Sequence, residues 1–299
     1  MSAGGPRRGR RRRGALVIAA LVAASCARGP DPIHVTAIRL ADGTPSDALR
    51  EAGLDEAALD SAARAGLSGA GFTLGEGARP HHAVVDVPSV RVLPGAAGPR
   101  LEVTVEIDLT PAEPGAKGGS RRETASASVA LASAAAPRDA WRDALVQAAQ
   151  RSAEGLGLGV DAERKGVAAL VADLTAKDTR IREQAVRVLG ERKARAAVPA
   201  LVERLKEEDP RLARRIVGAL VQIGDERAVP ALIDLARGAD ATVTGRIVRF
   251  VGDIGGPEAE GFLLTIASGH PDARVRKAAR EALDDLAARA KDASIAARR

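Results

Sequence analysis

"AVPALVERLKEEDPRLARRIVGALVQIGDER", residues 197–227, runs directly into "AVPALIDLARGADATVTGRIVRFVGDIGGPE", residues 228–258, and the two share one 31-residue register. The step that carries Leu201 to Leu232 reaches back to Leu170 and forward to Leu263. Val171, Val202, Ile233 and Leu264 form a second column with the same spacing. Ile181, Leu212, Val243 and Val275 form a third, and Leu189, Leu220, Val251 and Leu283 a fourth, with one extra residue near His270. Self-similarity at a fixed period of this size marks stacked supersecondary units, because no single unit can bury its own apolar face. A stable stack needs roughly three such units; the register supplies four.

Each unit reads as helix A, turn, helix B. Asp178, Asp209, Asp240 and Asp272 recur where helix B begins, so each carboxylate can accept free backbone N–H groups of the first turn. Acid–base chemistry would not require one such aspartate in every unit. Pro210 is a first-turn residue, and Gly224 and Gly255 close helix B. The pattern resembles HEAT repeats, especially the short HEAT-like type of phycobilisome lyases. The resemblance is carried by Ala197-Val198-Pro199-Ala200-Leu201, by Ala228-Val229-Pro230-Ala231-Leu232 and by Ile223-Gly224-Asp225. It covers about residues 167–289 and implies an all-α solenoid whose helix B row lines a concave face. Two departures predict bent or looser junctions: Arg192 and Lys193 replace Ile-Gly, and Glu260 and Gly261 replace Val-Pro.

Ahead of the repeats the periodicity is mixed. Residues 33–40 read as a strand, and 46–67 as helix broken near Gly53. Residues 83–93 alternate until the parity slips at Pro88, which predicts an edge strand or a bulge. "LEVTVEIDL" (101–109) and "TASASVALA" (124–132) each present one apolar and one polar face, as in a half-solvated antiparallel sheet. The Pro/Gly-rich loop between them is long for a hairpin. A helix starting at Pro137 and carrying Trp141, Leu145, Ala148 and Leu156 supplies the cover. The fold class expected is therefore an α+β N-terminal sandwich followed by an all-α HEAT-like solenoid.

Residues 1–26 hold Arg7, Arg8, Arg10, Arg11, Arg12 and Arg13 and no acid, which accounts for the whole formal charge of +6. An 11-residue apolar run, Ala15 to Ser25, follows them. As a helix that run spans about 16 Å, roughly half a bilayer's hydrocarbon thickness. The charge, the short apolar run and the small residues after it have the parts of a secretory signal. Ala23, Ala24, Ser25 and Cys26 resemble the lipobox of bacterial lipoproteins, although that family most often has leucine where Ala23 stands. The resemblance implies acylation of Cys26 as the first mature residue. By the family's sorting tendency, Ala27 after the cysteine implies the periplasmic face of the outer membrane. The alternative is an ordinary secretory signal and a soluble secreted or periplasmic protein. Cys26 is the chain's single cysteine, so no intramolecular disulfide can form.

These readings divide the chain into a signal peptide over 1–25, a tether over 26–32, an α+β domain over 33–158 and a linker over 159–166. Four HEAT-like repeats over 167–289 and a polar tail over 290–299 complete it.

No catalytic constellation emerges. His34, His81, His82 and His270 are too scattered for metal-ligand spacing, and no phosphate-cradling loop or nucleophile elbow is present. We therefore expect no metal, no cofactor and no enzymatic activity. Beyond residue 26 the chain balances 39 basic against 39 acidic side chains and has few aromatics for base stacking, which argues against nucleic acid. The balance is uneven along the chain: residues 27–159 carry −4 and residues 160–299 carry +4. Helix B holds the excess cations, Arg180, Arg187, Arg211, Arg214, Arg215, Arg246, Arg249, Arg274 and Lys277. They form the candidate partner-binding set, a docking face for an acidic segment of a protein partner of unknown identity or for an anionic cell-envelope component. The function expected is a lipid-anchored envelope adaptor or assembly factor, with the lipid as its membrane contact. The alternatives are a HEAT-like lyase or enzyme accessory subunit, and a structural spacer with no specific ligand.

Overall fold

The computed structural model describes residues 32–96, 98–113, 119–132, 137–206 and 209–296. The expected signal peptide and Cys26 lie outside the described residues, as does the middle of the polar loop, 114–118.

The first part comprises β1 (His34–Leu40), α1 (Asp47–Glu51), α2 (Glu56–Gly69), β2 (Thr73–Leu74), β3 (Pro80–Leu93), β4 (Arg100–Pro111), β5 (Arg121–Ala130) and α3 (Arg138–Arg164). The strands form one sheet in the order β2-β1-β3-β4-β5. From β3 to β5 the pairing is antiparallel. β1 runs parallel to β2 and β3, because the chain between β1 and β3 crosses over through α1 and α2. The sheet is thus mixed, where alternation alone suggested an antiparallel one. The β3–β4 register shifts between Asp86 and Ser89, around Pro88. β1 pairs with β3 only as far as Val85, so at Pro88 the strand is bulged against β4 and open on its other side, where a residue with no N–H breaks no ladder bond. Leu101, Val103, Val105, Ile107 and Leu109 of β4 are all buried, in one core with residues of α2 and α3.

The linker expected at 159–166 is not found. α3 continues to Arg164, because no proline interrupts the segment and its residues pack on both sides. Val160 belongs to the core beneath the sheet, whereas Ala162 belongs to the core of the repeats. One helix therefore serves two cores.

The repeats follow as α4 (Val167–Asp173), α5 (Thr179–Glu191), α6 (Val198–Leu205), α7 (Pro210–Ile223), α8 (Val229–Ala236), α9 (Ala241–Ile254), α10 (Pro257–Gly269) and α11 (Ala273–Ala296). Even-numbered members are helix A and odd-numbered members helix B. Leu170, Leu201, Leu232 and Leu263 are each 0% exposed, at equivalent places in successive hairpins. The repeating aspartates are caps: Asp178 accepts from the Arg180 N–H at 2.9 Å, Asp209 from Arg211 at 2.8 Å, Asp240 from Val243 at 2.8 Å and Asp272 from Arg274 at 2.8 Å. The polar tail expected from 290 is helical up to Ala296, because nothing after Arg289 breaks α11.

The two departures from the repeat pattern are rebuilt, not loosened. Lys193 has φ 50°, close to the 65° of Gly224 at the corresponding exit, so the first unit keeps the left-handed turn with a side chain in it. In the second and third units a 3-10 turn precedes helix A, and Pro199 and Pro230 stand in that helix's first turn. In the fourth unit the proline moves to Pro257. Helix A then starts a turn earlier and spans 13 residues, compared with 8 in α6 and α8.

Candidate functional site

The nine candidate cations sit on helix B, as the repeat register requires, but the structure divides them. Six are engaged within the chain. Arg180 pairs with Asp178 at 3.0 Å and with Glu154 of α3 at 2.8 Å. Arg187 holds Glu191 at 2.9 Å and reaches Glu163 of α3 at 3.4 Å. Arg211 and Arg215 both lean toward Glu183, at 3.6 and 3.5 Å. Arg274 pairs with Asp272 at 2.9 Å and Lys277 with Glu281 at 3.5 Å. Exposed pairs of this kind add little stability and can exchange for an external anion at small cost.

Arg214, Arg246 and Arg249 are exposed, and no other described residue pairs with any of them. Their own helices supply little counter-charge, and where α5 offers Glu183 to Arg215 the same register position of α7 is Arg214. α7 contains no acid, and α9 contains only Asp253, in its last turn. In α5 and α11, by contrast, Glu183, Glu191, Glu281, Asp284 and Asp285 lie among the cations. The middle of the helix B row thus holds three cations for which no ion pair forms among the described residues, although Arg249 shares a cleft with Asp253, Glu281 and Asp285.

A second feature, not legible in the sequence, lies where β5, α3, α5 and α7 meet. An open cleft of about 820 Å³ is lined there by charged side chains, among them Arg121, Glu123, Glu163, Glu183, Arg187 and Arg215. Glu163 is its hub. It binds Arg121 of β5 and Arg187 of α5, while its own backbone carbonyl accepts from Arg192. Burial alone would raise the Glu163 carboxyl; the guanidinium groups of Arg121 and Arg187 outweigh it and hold the group below its ordinary value. Glu123 goes the other way: burial raises it, and the neighbouring Glu183 adds to the effect. The cleft mainly joins the two halves of the molecule, since most of its charges are already paired. Sequence reasoning missed Arg121, Glu154 and Glu163 because their partners lie on other elements, up to 42 residues away.

Among the described residues, no three His, Cys, Asp or Glu side chains gather closely enough to hold a metal ion. No described helix is long and apolar enough to cross a membrane.

Fold and register together define a HEAT-like helical solenoid with a mixed sheet in front of it. A family profile for HEAT repeats matches residues 167–244. Among solved structures the chain is similar to an engineered protein, at 21% identity over 48% of this chain and 74% of that one, with a TM-score of 0.33. It is also similar to a minor lipoprotein from Acinetobacter baumannii, at 13% identity over 43% of this chain and 93% of that one, with a TM-score of 0.26. No curated protein matches the chain.

Proposed function

We propose that this chain is a non-catalytic adaptor or assembly factor of the bacterial cell envelope, held at the membrane by a lipid on Cys26. Its repeats bind an acidic segment of a partner protein through the middle of the helix B row. One observation carries the reading: Arg214, Arg246 and Arg249 are exposed on adjacent helices with no partner among the described residues. Three exposed cations outside any ion pair among the described residues attract an anionic surface and fix its orientation, an effect that fades as salt rises. The lipid supplies a different function, since acyl chains confine the protein to a membrane surface while leaving the repeats free. Placement at the periplasmic face of the outer membrane is part of the proposal and rests on Ala27 following Cys26.

Affinity capture from envelope membranes tests the binding half. The triple variant Arg214→Glu, Arg246→Glu, Arg249→Glu is expected to lose acidic partners that the unaltered protein retains; an identical partner set overturns the reading and favours the structural spacer. Mass measurement of the mature N-terminus tests the other half. A chain that begins at an acylated Cys26 is expected, and one that retains residues 1–25 refutes the anchor.

A further inference from the structure

Adjacent B helices are not equally spaced, and the repeat register explains why. Where α5 meets α7, Gly190 lies against Ala219: a Cβ added to Gly190 would stand 3.1 Å from the Ala219 Cα. Where α9 meets α11, Gly252 lies against Ala282 in the same way, with 2.8 Å from the added Cβ to the Ala282 Cβ. Stepping along the register, the same two positions between α7 and α9 are Val221 and Phe250. A pair of small residues lets two helix axes approach closely, whereas a valine and a phenylalanine hold them apart. Accordingly, α7 and α9 come within close range over far less of their length than either neighbouring pair. Gly218, one turn before Val221 on α7, is exposed, and an added Cβ there would meet nothing within 4 Å.

Helical spacing puts Arg214, Gly218 and Val221 on the flank of α7 turned away from Ala219. The flank of α9 turned away from Gly252 carries Arg246 and Phe250. We infer that the Val221–Phe250 pair opens a furrow between α7 and α9, and that an extended acidic segment bearing an apolar side chain lies in it. Arg214 and Arg246 take the acids at the rims, and the partly buried Val221 and Phe250 meet the apolar group at the floor. This rests on the proposed acidic partner and adds where, and in what form, that partner is held. Charge complementarity selects the occupant: both rims are cationic, and no acid of α7 competes for them.

The test uses fluorescence polarisation of a labelled acidic dodecapeptide, in which leucine follows every third glutamate, against the full-length protein. Gly218→Leu fills the furrow without removing a charge, and the open space above Gly218 lets it fold. We expect it to weaken binding by about tenfold or more at a Tm no lower than that of the unaltered protein, since leucine favours the helix more than glycine does. Arg214→Glu with Arg246→Glu should weaken binding as much, while Arg274→Glu changes it less than about twofold. Gly218→Cys gives a second readout, since alkylation at that position is expected to slow when peptide is bound. If Gly218→Leu binds normally and Gly218→Cys is not protected while the double charge reversal abolishes binding, the furrow is refuted and the cationic face stands. If the charge reversal has no effect either, or the peptide does not bind, both are refuted.

Discussion

The two halves of this molecule build their cores over different ranges of sequence. In the repeats, Leu201 packs in a layer whose counterparts, Leu170 and Leu232, lie one repeat away on either side. In the sheet, Val35 pairs with His81 and Val85 with Ile107, across a crossover and a bulge. A repeat solves its packing problem once and copies the solution; the sheet solves a different one at each strand. Because α3 takes part in both cores, the two solutions are nonetheless joined by one helix. The largest prediction tests that junction. Leu201→Ala and Leu145→Ala each empty a buried leucine site and should cost about 2–5 kcal/mol. Both should shift one shared calorimetric transition. Two transitions, each moved by only one variant, would show that α3 does not couple the halves.

Next in size is the ion-pair hub at the same junction. Glu163→Gln keeps the shape of the side chain and removes the charge that holds Arg121, whose side chain is only 11% exposed, and Arg187. Leaving a partly buried guanidinium without its counter-ion should cost about 1–3 kcal/mol, read from urea unfolding. A matching change at Asp234, whose pair with Arg237 is exposed, should cost less than about 0.5 kcal/mol. Equal costs would mean that the contact across the halves is no stronger than surface decoration.

What could be read in the sequence follows the same divide. The leucine columns, the aspartate caps and the helix pairs were legible because their partners recur at a constant offset. β4 was legible from strict alternation. β2, two residues long, gave no periodic signal, and the direction of β1 depends on a crossover that alternation does not encode. The end of α3 was misread as a linker because the residues after Leu156 change core partners, not conformation. The candidate site was legible as a set of nine cations but not as the three that stand without partners. Whether an arginine on one helix is neutralised depends on acids of the helix packed before it, such as Glu154 and Glu163 of α3 and Glu183 of α5.

A smaller prediction concerns the repeat exit that lacks glycine. Lys193 adopts a left-handed conformation that costs a residue with a side chain about 1 kcal/mol, and Gly224 fills the equivalent place without that cost. Lys193→Gly should therefore stabilise the protein by about 1 kcal/mol in urea unfolding, while Gly224→Lys should destabilise it by a similar amount. An unchanged midpoint for both would show that this turn is set by packing alone, and would remove the last local difference between the first unit and the second.

The smallest effect is a pair of shallow slopes in acid, one from each half. In the sheet half, His81 is 3% exposed; its Nδ1 lies 3.1 Å from the Arg79 carbonyl and its Nε2 has no partner. Burial disfavours the imidazolium, and Arg121, Arg79 and His82 oppose it further, so the pKa falls below the ordinary value of 6.5. The unfolded chain then takes up the proton more readily than the folded one. Stability is complete above the ordinary histidine range and declines as pH falls through 6.5. In the repeats the sign of the shift is the same but the group is an acid. A side-chain hydrogen bond from Arg227 holds Asp225 at about 2, and one from Arg274 holds Asp272 at about 2. Their contribution is present above 3.8 and is lost as pH falls from there toward 2. Melting curves from pH 8 to pH 2 should therefore decline in two windows. His81→Phe should flatten only the upper one, and Asp225→Ala with Asp272→Ala only the lower one. If His81→Phe left the upper slope unchanged, the ring would titrate no differently in the folded and unfolded chains, and the sheet half would owe its acid sensitivity to its carboxylates, as the repeats do.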